Sequence, residues 1–253
     1  PLQRGYEVIF PAIAWATTDH PLQQYGMKMK IVDVDLHTLN MNIADLEAAL
    51  SPATKMIVAV SILGNPANLP EIKAFAHKHG LYLMEDNCES LDAEVGGQKT
   101  GTFGDVGTFS FFFSHHISTG EGGMVVTDDD ELNGLAFAIR AHGWIKDVPE
   151  DSRLFEAGED SFAEAYRFVI PGYNVRPQEI NAAVGREQLK KLPAMTSQRR
   201  ANLARFQELF GDDERFIIPR ENGKSSSFCF PMIVSPEAGF ERSDVFEPLK
   251  NAG

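Results

Sequence analysis

Three apolar runs, Tyr6-Glu-Val-Ile-Phe-Pro11, Lys55-Met-Ile-Val-Ala-Val-Ser61 and Leu81-Tyr-Leu-Met-Glu85, alternate with amphipathic stretches that carry helix punctuation. The middle run shows no polar alternation, so neither of its faces suits water. Strands of that kind belong to parallel sheets covered on both sides. Helices are predicted between the strands: residues 15–25 stop at Gly26, residues 43–50 follow the candidate N-cap Asn42, and residues 69–79 end at Gly80. Residues 29–35, 107–112 and 123–127 read as further strands and 131–141 as a further helix. The rhythm predicts an α/β fold with a mostly parallel sheet between helices.

The second half is less regular. Residues 145–163 are polar, acidic and poorly periodic, with Pro149 and Gly158, and read as a surface excursion or lid. Residues 177–192 and 195–210 read as two helices, the second bridging to another domain. Phe228-Cys-Phe-Pro-Met-Ile-Val234 opens a small α+β domain that the chain does not finish. The expected division is a large domain over 1–192 and, over 193–253, a bridging helix with the beginning of a small one. Both ends read as internal to a longer protein.

Charge narrows the function. Lys and Arg number 23 against 36 Asp and Glu, a formal net charge of −13, and no basic stripe is visible. Nucleic acid and anionic membrane surfaces are therefore poor partners. Cys88 and Cys229 make neither a disulfide framework nor a metal-ligand set, which suits a reducing cytosol. No apolar run approaches the roughly 20 residues of a membrane helix. No Gly-x-Gly-x-x-Gly follows a strand, and a Walker A motif is absent.

Ligands of parallel α/β sheets bind beyond the carboxyl ends of the strands. Asp86 lies at such an end, and 29 residues later (115 − 86) comes His115, ahead of Gly120-Glu-Gly-Gly123. A carboxylate there can hold a pyridine nitrogen protonated, and Ser110 can take a phosphate oxygen. Imidazole titrates near neutrality and suits proton transfer. Together they suggest a pyridoxal phosphate pocket, where the cofactor serves as an electron sink. A lysine in the basic slot would tether the cofactor covalently; imidazole cannot. Taken singly, the residues have plainer readings. From position alone Asp86 reads more simply as a loop or N-cap acid, Trp15 as a core aromatic or a ring-stacking platform, and Glu89 as a ligand to the cofactor's ring hydroxyl or a local ion-pair partner. Ser114 reads as incidental, Cys88 as small buried filler and His116 as a bystander. His142, in Arg140-Ala-His-Gly-Trp144, and Asn174, in Pro171-Gly-Tyr-Asn-Val-Arg-Pro177, read alone as turn chemistry.

Read together, Glu7-Val-Ile-Phe-Pro-Ala12, Val32-Asp-Val-Asp35, Gly64-Asn-Pro66, Glu85-Asp-Asn-Cys-Glu-Ser90, Gly101-Thr-Phe-Gly-Asp105, Thr108-Phe-Ser-Phe111, Gly120-Glu-Gly-Gly-Met124 and Gly172-Tyr-Asn-Val-Arg176 carry a resemblance over essentially the whole chain. The chain resembles the DegT/DnrJ/EryC1/StrS sugar aminotransferases, which are fold type I pyridoxal phosphate enzymes with a mostly parallel sheet of the seven-stranded type. The tract Ala14-Trp-Ala-Thr-Thr-Asp-His-Pro-Leu-Gln-Gln-Tyr-Gly26, with histidine in the lysine slot, resembles the family's dehydrating branch. The resemblance implies a cytoplasmic homodimer that cycles pyridoxal 5'-phosphate and pyridoxamine 5'-phosphate with L-glutamate. The reaction it implies removes the C3 hydroxyl of a 4-keto-6-deoxy nucleotide sugar on the way to lipopolysaccharide O-antigen deoxysugars. It further implies that Asp86 pairs with the pyridine nitrogen, Trp15 stacks on the ring and Glu89 bonds its hydroxyl. Ser110 would hold the phosphate, Asn174 would reach the neighbouring subunit's phosphate, His142 would contact substrate and His115 would be the acid/base. The family's N-terminal phosphate-binding turn and its C-terminal substrate residues would lie outside the chain. A sister branch binds an iron–sulfur cluster through four cysteines, a set that Cys88 and Cys229 cannot supply.

Overall fold

The computed structural model describes residues 2–149, 152, 155 and 158–252. In chain order its elements begin β1 (Glu7–Pro11), α1 (Ala16–Gln24), β2 (Lys28–Val32), α2 (Leu46–Ala49), β3 (Thr54–Val60), α3 (Leu69–His79) and β4 (Tyr82–Asp86). They continue with a small hairpin of β5 (Glu94–Val95) and β6 (Gln98–Lys99), then β7 (Val106–Ser110), β8 (Gly123–Val126) and α4 (Asp130–Arg140). α5 (Ser161–Glu164), α6 (Glu179–Phe210), β9 (Phe216–Ile217), β10 (Ile233–Val234) and α7 (Arg242–Ala252) complete them.

The central sheet has the order β2-β1-β3-β4-β7-β8, six strands among the described residues where a seven-stranded type was expected. All neighbours are parallel except β8, which runs antiparallel to β7. Successive side chains leave a strand on opposite faces, so β1 and β3 feed two cores. Ile9, Ile57 and Ala59 pack with Leu69, Ile72 and Ala76 of α3 on one side. Val8, Phe10, Met56, Val58 and Val60 pack with Leu22 of α1 on the other. Each such fully buried aliphatic side chain contributes roughly 1.5–3 kcal/mol. This double burial is why β3 reads as an unbroken apolar run.

Local signals set several boundaries. Asn42 accepts from the Ala44 N–H and starts a 3-10 turn, Ile43–Asp45, that leads into α2. α3 begins with proline in its first turn and stops at Gly80, whose φ of 63° is left-handed. Three expectations are corrected. The second strand ends at Val32 rather than 35, and Val34 makes only an isolated bridge to Met41. The strand expected over 107–112 ends at Ser110, where the chain turns into the site. The two helices expected around Pro193 are one, α6, of 32 residues with Pro193 inside. A mid-helix proline costs about 3 kcal/mol, but good helix formers flank it and Thr196 is buried one turn on. α5 begins at the end of the 145–163 excursion, six of whose residues lie outside the described set.

The segment after α6 folds back onto the sheet's carboxyl edge. Ser225, Ser226 and Ser227 are buried there. The Ser226 N–H donates to the Gly64 carbonyl at 3.2 Å and the Phe228 N–H to the Leu63 carbonyl at 2.8 Å. Arg199 Nη1 donates to Ser227 O and Arg200 Nε to Ser225 O, each at 2.9 Å. Gly64 has a φ of 88°, and a Cβ there would lie 2.7 Å from the Ser227 and Phe228 nitrogens, so only glycine allows this approach.

Candidate active site

The parallel strands β1, β3, β4 and β7 end on one edge, and a cavity of about 540 Å³ opens beyond them. Trp15, Asp86, Glu89, Ser110 and His115 all line it. These expected site residues, scattered over a hundred positions of sequence, share one chamber. Thr17, Thr18, Ser114, Glu121 and Phe228 also form its wall.

Asp86 is the last residue of β4, in register with Val60 and Thr108, and only 8% exposed. Its Oδ2 accepts from the Thr18 hydroxyl at 2.7 Å and its Oδ1 from the Cys88 N–H at 3.0 Å. Its neighbour Glu85 faces the opposite way. That side chain is fully buried and accepts from the N–H groups of Gly101, Phe103 and Gly104 at 2.6–2.7 Å, shaping the loop that feeds β7. Burial holds the Glu85 carboxyl above its ordinary range despite those donors.

Glu89 is half-buried, and its Oε2 accepts from Leu63 N–H at 2.7 Å, steadying a residue whose φ is 54°. Burial raises its carboxyl and the Asp86 charge adds to the effect, while the Leu63 N–H and His115 oppose it. Burial, reinforced by Asp86, pushes the Cys88 thiol up, in keeping with neutral packing.

His115 sits in the turn after β7, its N–H donating to Phe112 O at 3.0 Å. Its Nδ1 is buried without a hydrogen-bond partner, so Nε2 is the nitrogen able to exchange protons with the cavity. His116 points away into the interior. It is 1% exposed, its Nε2 pairs with Ser226 O at 3.1 Å, and burial, with the Arg199 charge next, pushes its imidazole down to about 4. Ser110 accepts the Phe112 N–H at 3.2 Å and keeps its own proton to offer. Among the described residues the wall contains no lysine or arginine. Lys99 is drawn off to Asp92 and Glu94, at 2.6 and 3.0 Å, and Lys146 lies over the Trp144 ring.

His142 and Asn174 stand apart from this chain's cavity. Their turns are zipped together: Ala141 bridges Asn174, and the His142 N–H donates to Tyr173 O at 2.7 Å with φ at 65°. Thr18 and Phe228 were not anticipated. Thr18 stands one helical turn from Trp15, a spacing that could have flagged it. Nothing in the sequence pairs Phe228 with His115.

The model of the DegT/DnrJ/EryC1/StrS aminotransferase family matches residues 2–253. The chain belongs to that family. This family member is 46% identical over 253 residues to the GDP-4-keto-6-deoxy-D-mannose 3-dehydratase of Escherichia coli O55:H7, covering all of this chain and 65% of the relative. It superposes with a TM-score of 0.96 and 45% identity on the E. coli GDP-4-keto-6-deoxy-D-mannose-3-dehydratase solved with bound hydrated PLP, covering 100% of this chain and 65% of that one. A GDP-4-keto-6-deoxymannose-3-dehydratase structure with a trapped PLP-glutamate geminal diamine matches equally, at 0.96 and 45%, over 100% of this chain and 66% of the other. The chain thus spans slightly less than two thirds of these relatives.

Proposed function

We propose that the protein is a pyridoxal phosphate-dependent, glutamate-using 3-dehydratase of a 4-keto-6-deoxy nucleotide sugar, with His115 as its acid/base. The carrying observation is the cavity wall, which presents an imidazole and no lysine among the described residues. The chemistry of that wall suits the cofactor. Asp86, held by two donors, would keep the ring nitrogen protonated, Trp15 would cover the ring face and Glu89 would bond the ring hydroxyl. Ser110 would hold the phosphate. When bound, the cofactor supplies an amine to condense with the 4-keto carbon and an electron sink beside its ring.

His115 Nε2 would take the proton from the carbon attached to the ring and return one to the C3 hydroxyl, which departs as water; hydrolysis would then free the 3-deoxy sugar and release the nitrogen taken from glutamate as ammonia. Among the described residues the wall offers no amine that would tether the cofactor or compete with glutamate's amino group for it. The relative with a trapped glutamate adduct supports glutamate as amine donor, and the GDP-sugar relatives support a GDP-linked substrate, which this reading assigns to O-antigen deoxysugar synthesis. This reading includes a cytoplasmic homodimer in which Asn174 reaches the neighbouring subunit's cofactor phosphate and His142 touches substrate. Neither residue lines this chain's own cavity, which supports it, as do the exposed Val175, Ile180 and Val184 beside them. No helix among the described residues is long and apolar enough to cross a membrane. The reading keeps the large domain over 1–192 and the small one beginning after 193, with α6 as the bridge through that boundary.

The test is borohydride reduction of the cofactor-loaded full-length protein, followed by mass analysis. An untethered cofactor leaves no covalent adduct. A reduced adduct on Lys99, Lys146 or any other lysine would make the protein an ordinary aminotransferase instead.

A further inference from the structure

Thr18 has no part in the reaction just described, yet it touches both walls that would enclose the cofactor ring. Its hydroxyl donates to Asp86 Oδ2 at 2.7 Å across 68 positions of sequence, and its backbone N–H donates to the Trp15 carbonyl at 2.9 Å. With the Cys88 N–H on Oδ1, each carboxylate oxygen holds one donor. The plane of the carboxylate is thereby fixed, and its remaining lone pairs are left for a ligand. Trp15, in contrast, has little to hold it. It is 73% exposed and occupies the N-cap of α1 without a side-chain capping bond, and α1 buries only Leu22. The indole's position over the cavity is inherited from the first turn of α1, and Thr18 ties that turn to the end of β4.

Resting on the pyridoxal phosphate reading, we infer that Thr18 is a positioning residue that sets the Trp15 face and the Asp86 carboxylate in register for a flat, cationic heteroaromatic ring. A hydroxyl donor is needed for this, and shape alone does not suffice. Valine keeps the β-branched outline and loses the donor, whereas serine keeps the donor.

The full-length wild type and its Thr18→Val and Thr18→Ser variants are titrated with pyridoxal phosphate. Affinity is read by tryptophan fluorescence quenching, and ring orientation by the induced circular dichroism of the cofactor band at saturation. Thr18→Val should weaken binding about tenfold, as expected for loss of one hydrogen bond to a charged group, and reduce the induced signal. Thr18→Ser should stay within about twofold of wild type in affinity and recover the signal. Thr18→Ala carries the same expectation as valine, so a misfolded valine variant leaves the comparison intact. Equal affinity and dichroism in wild type and donor-less variants would overturn the inference alone, as would serine behaving like valine. A wild type that binds no pyridoxal phosphate would overturn the functional reading, and this inference with it.

Discussion

The ring of Phe228 meets the His115 imidazole edge-on, with centroids 5.3 Å apart and planes at 72°. Phe112 approaches the same imidazole from the next turn of chain, at 6.0 Å and 90°. The proposed acid/base is thus wedged between an aromatic from its own loop and one delivered by the segment beyond α6. Aromatic contacts of this kind contribute about 0.5–1.5 kcal/mol beyond their buried area. Phe228→Ala should therefore lower turnover about tenfold by freeing the imidazole. Cofactor affinity should move little, because Phe228 holds neither Asp86 nor Trp15. Phe228→Leu should fall between. Steady-state kinetics beside a cofactor titration separates the two effects.

His116 makes stability depend on pH. In the folded protein burial pushes it down from 6.5 to about 4. Between those values the unfolded chain binds a proton that the native state refuses. The contribution is fully present above about 6.5 and is lost as pH falls toward 4, so stability declines through that window. The full loss amounts to about 3 kcal/mol. His116→Asn retains a donor for Ser226 O and removes the titration. Urea unfolding of both proteins at pH 7 and pH 4.5 should show the wild type losing more stability than the variant.

Glu85 is a structural acid beside the one proposed to serve the cofactor. Its three N–H donors hold the loop ahead of β7, so the strand that carries Ser110 depends on it. Glu85→Gln turns one acceptor oxygen into a donor facing those N–H groups. It should destabilise the fold by roughly 1–3 kcal/mol, visible as a lower urea midpoint. Asp86→Asn should instead leave the midpoint nearly unchanged and weaken cofactor binding.

Much of the fold was readable because the central strands β1 and β3 are buried on both faces. β3 has no choice but an unbroken apolar run, and α3 carries a proline at its start and a left-handed glycine at its end. Trp15, Asp86, Glu89, Ser110 and His115 could be gathered because each lies at or just beyond the carboxyl end of a strand on the same edge. Other features were not visible in the chain. Thr18 reaches Asp86 and Phe228 reaches His115 only through tertiary packing, and no periodicity encodes either distance. Pro193 was misleading: a proline usually ends a helix, but here α6 runs through it, with Thr196 buried one turn on. His142 and Asn174 looked like separate turns, and the bridge between Ala141 and Asn174 makes them one unit.

The central claim is that imidazole, and no amine, moves the proton in this cavity. Ammonia release by the full-length protein, supplied with pyridoxal phosphate, glutamate and GDP-4-keto-6-deoxymannose, measures it most directly when wild type and His115→Asn are compared. The account predicts steady release by the wild type and a drop of roughly 10²–10⁴-fold in the variant, with the cofactor still bound. Undiminished release by His115→Asn would contradict it.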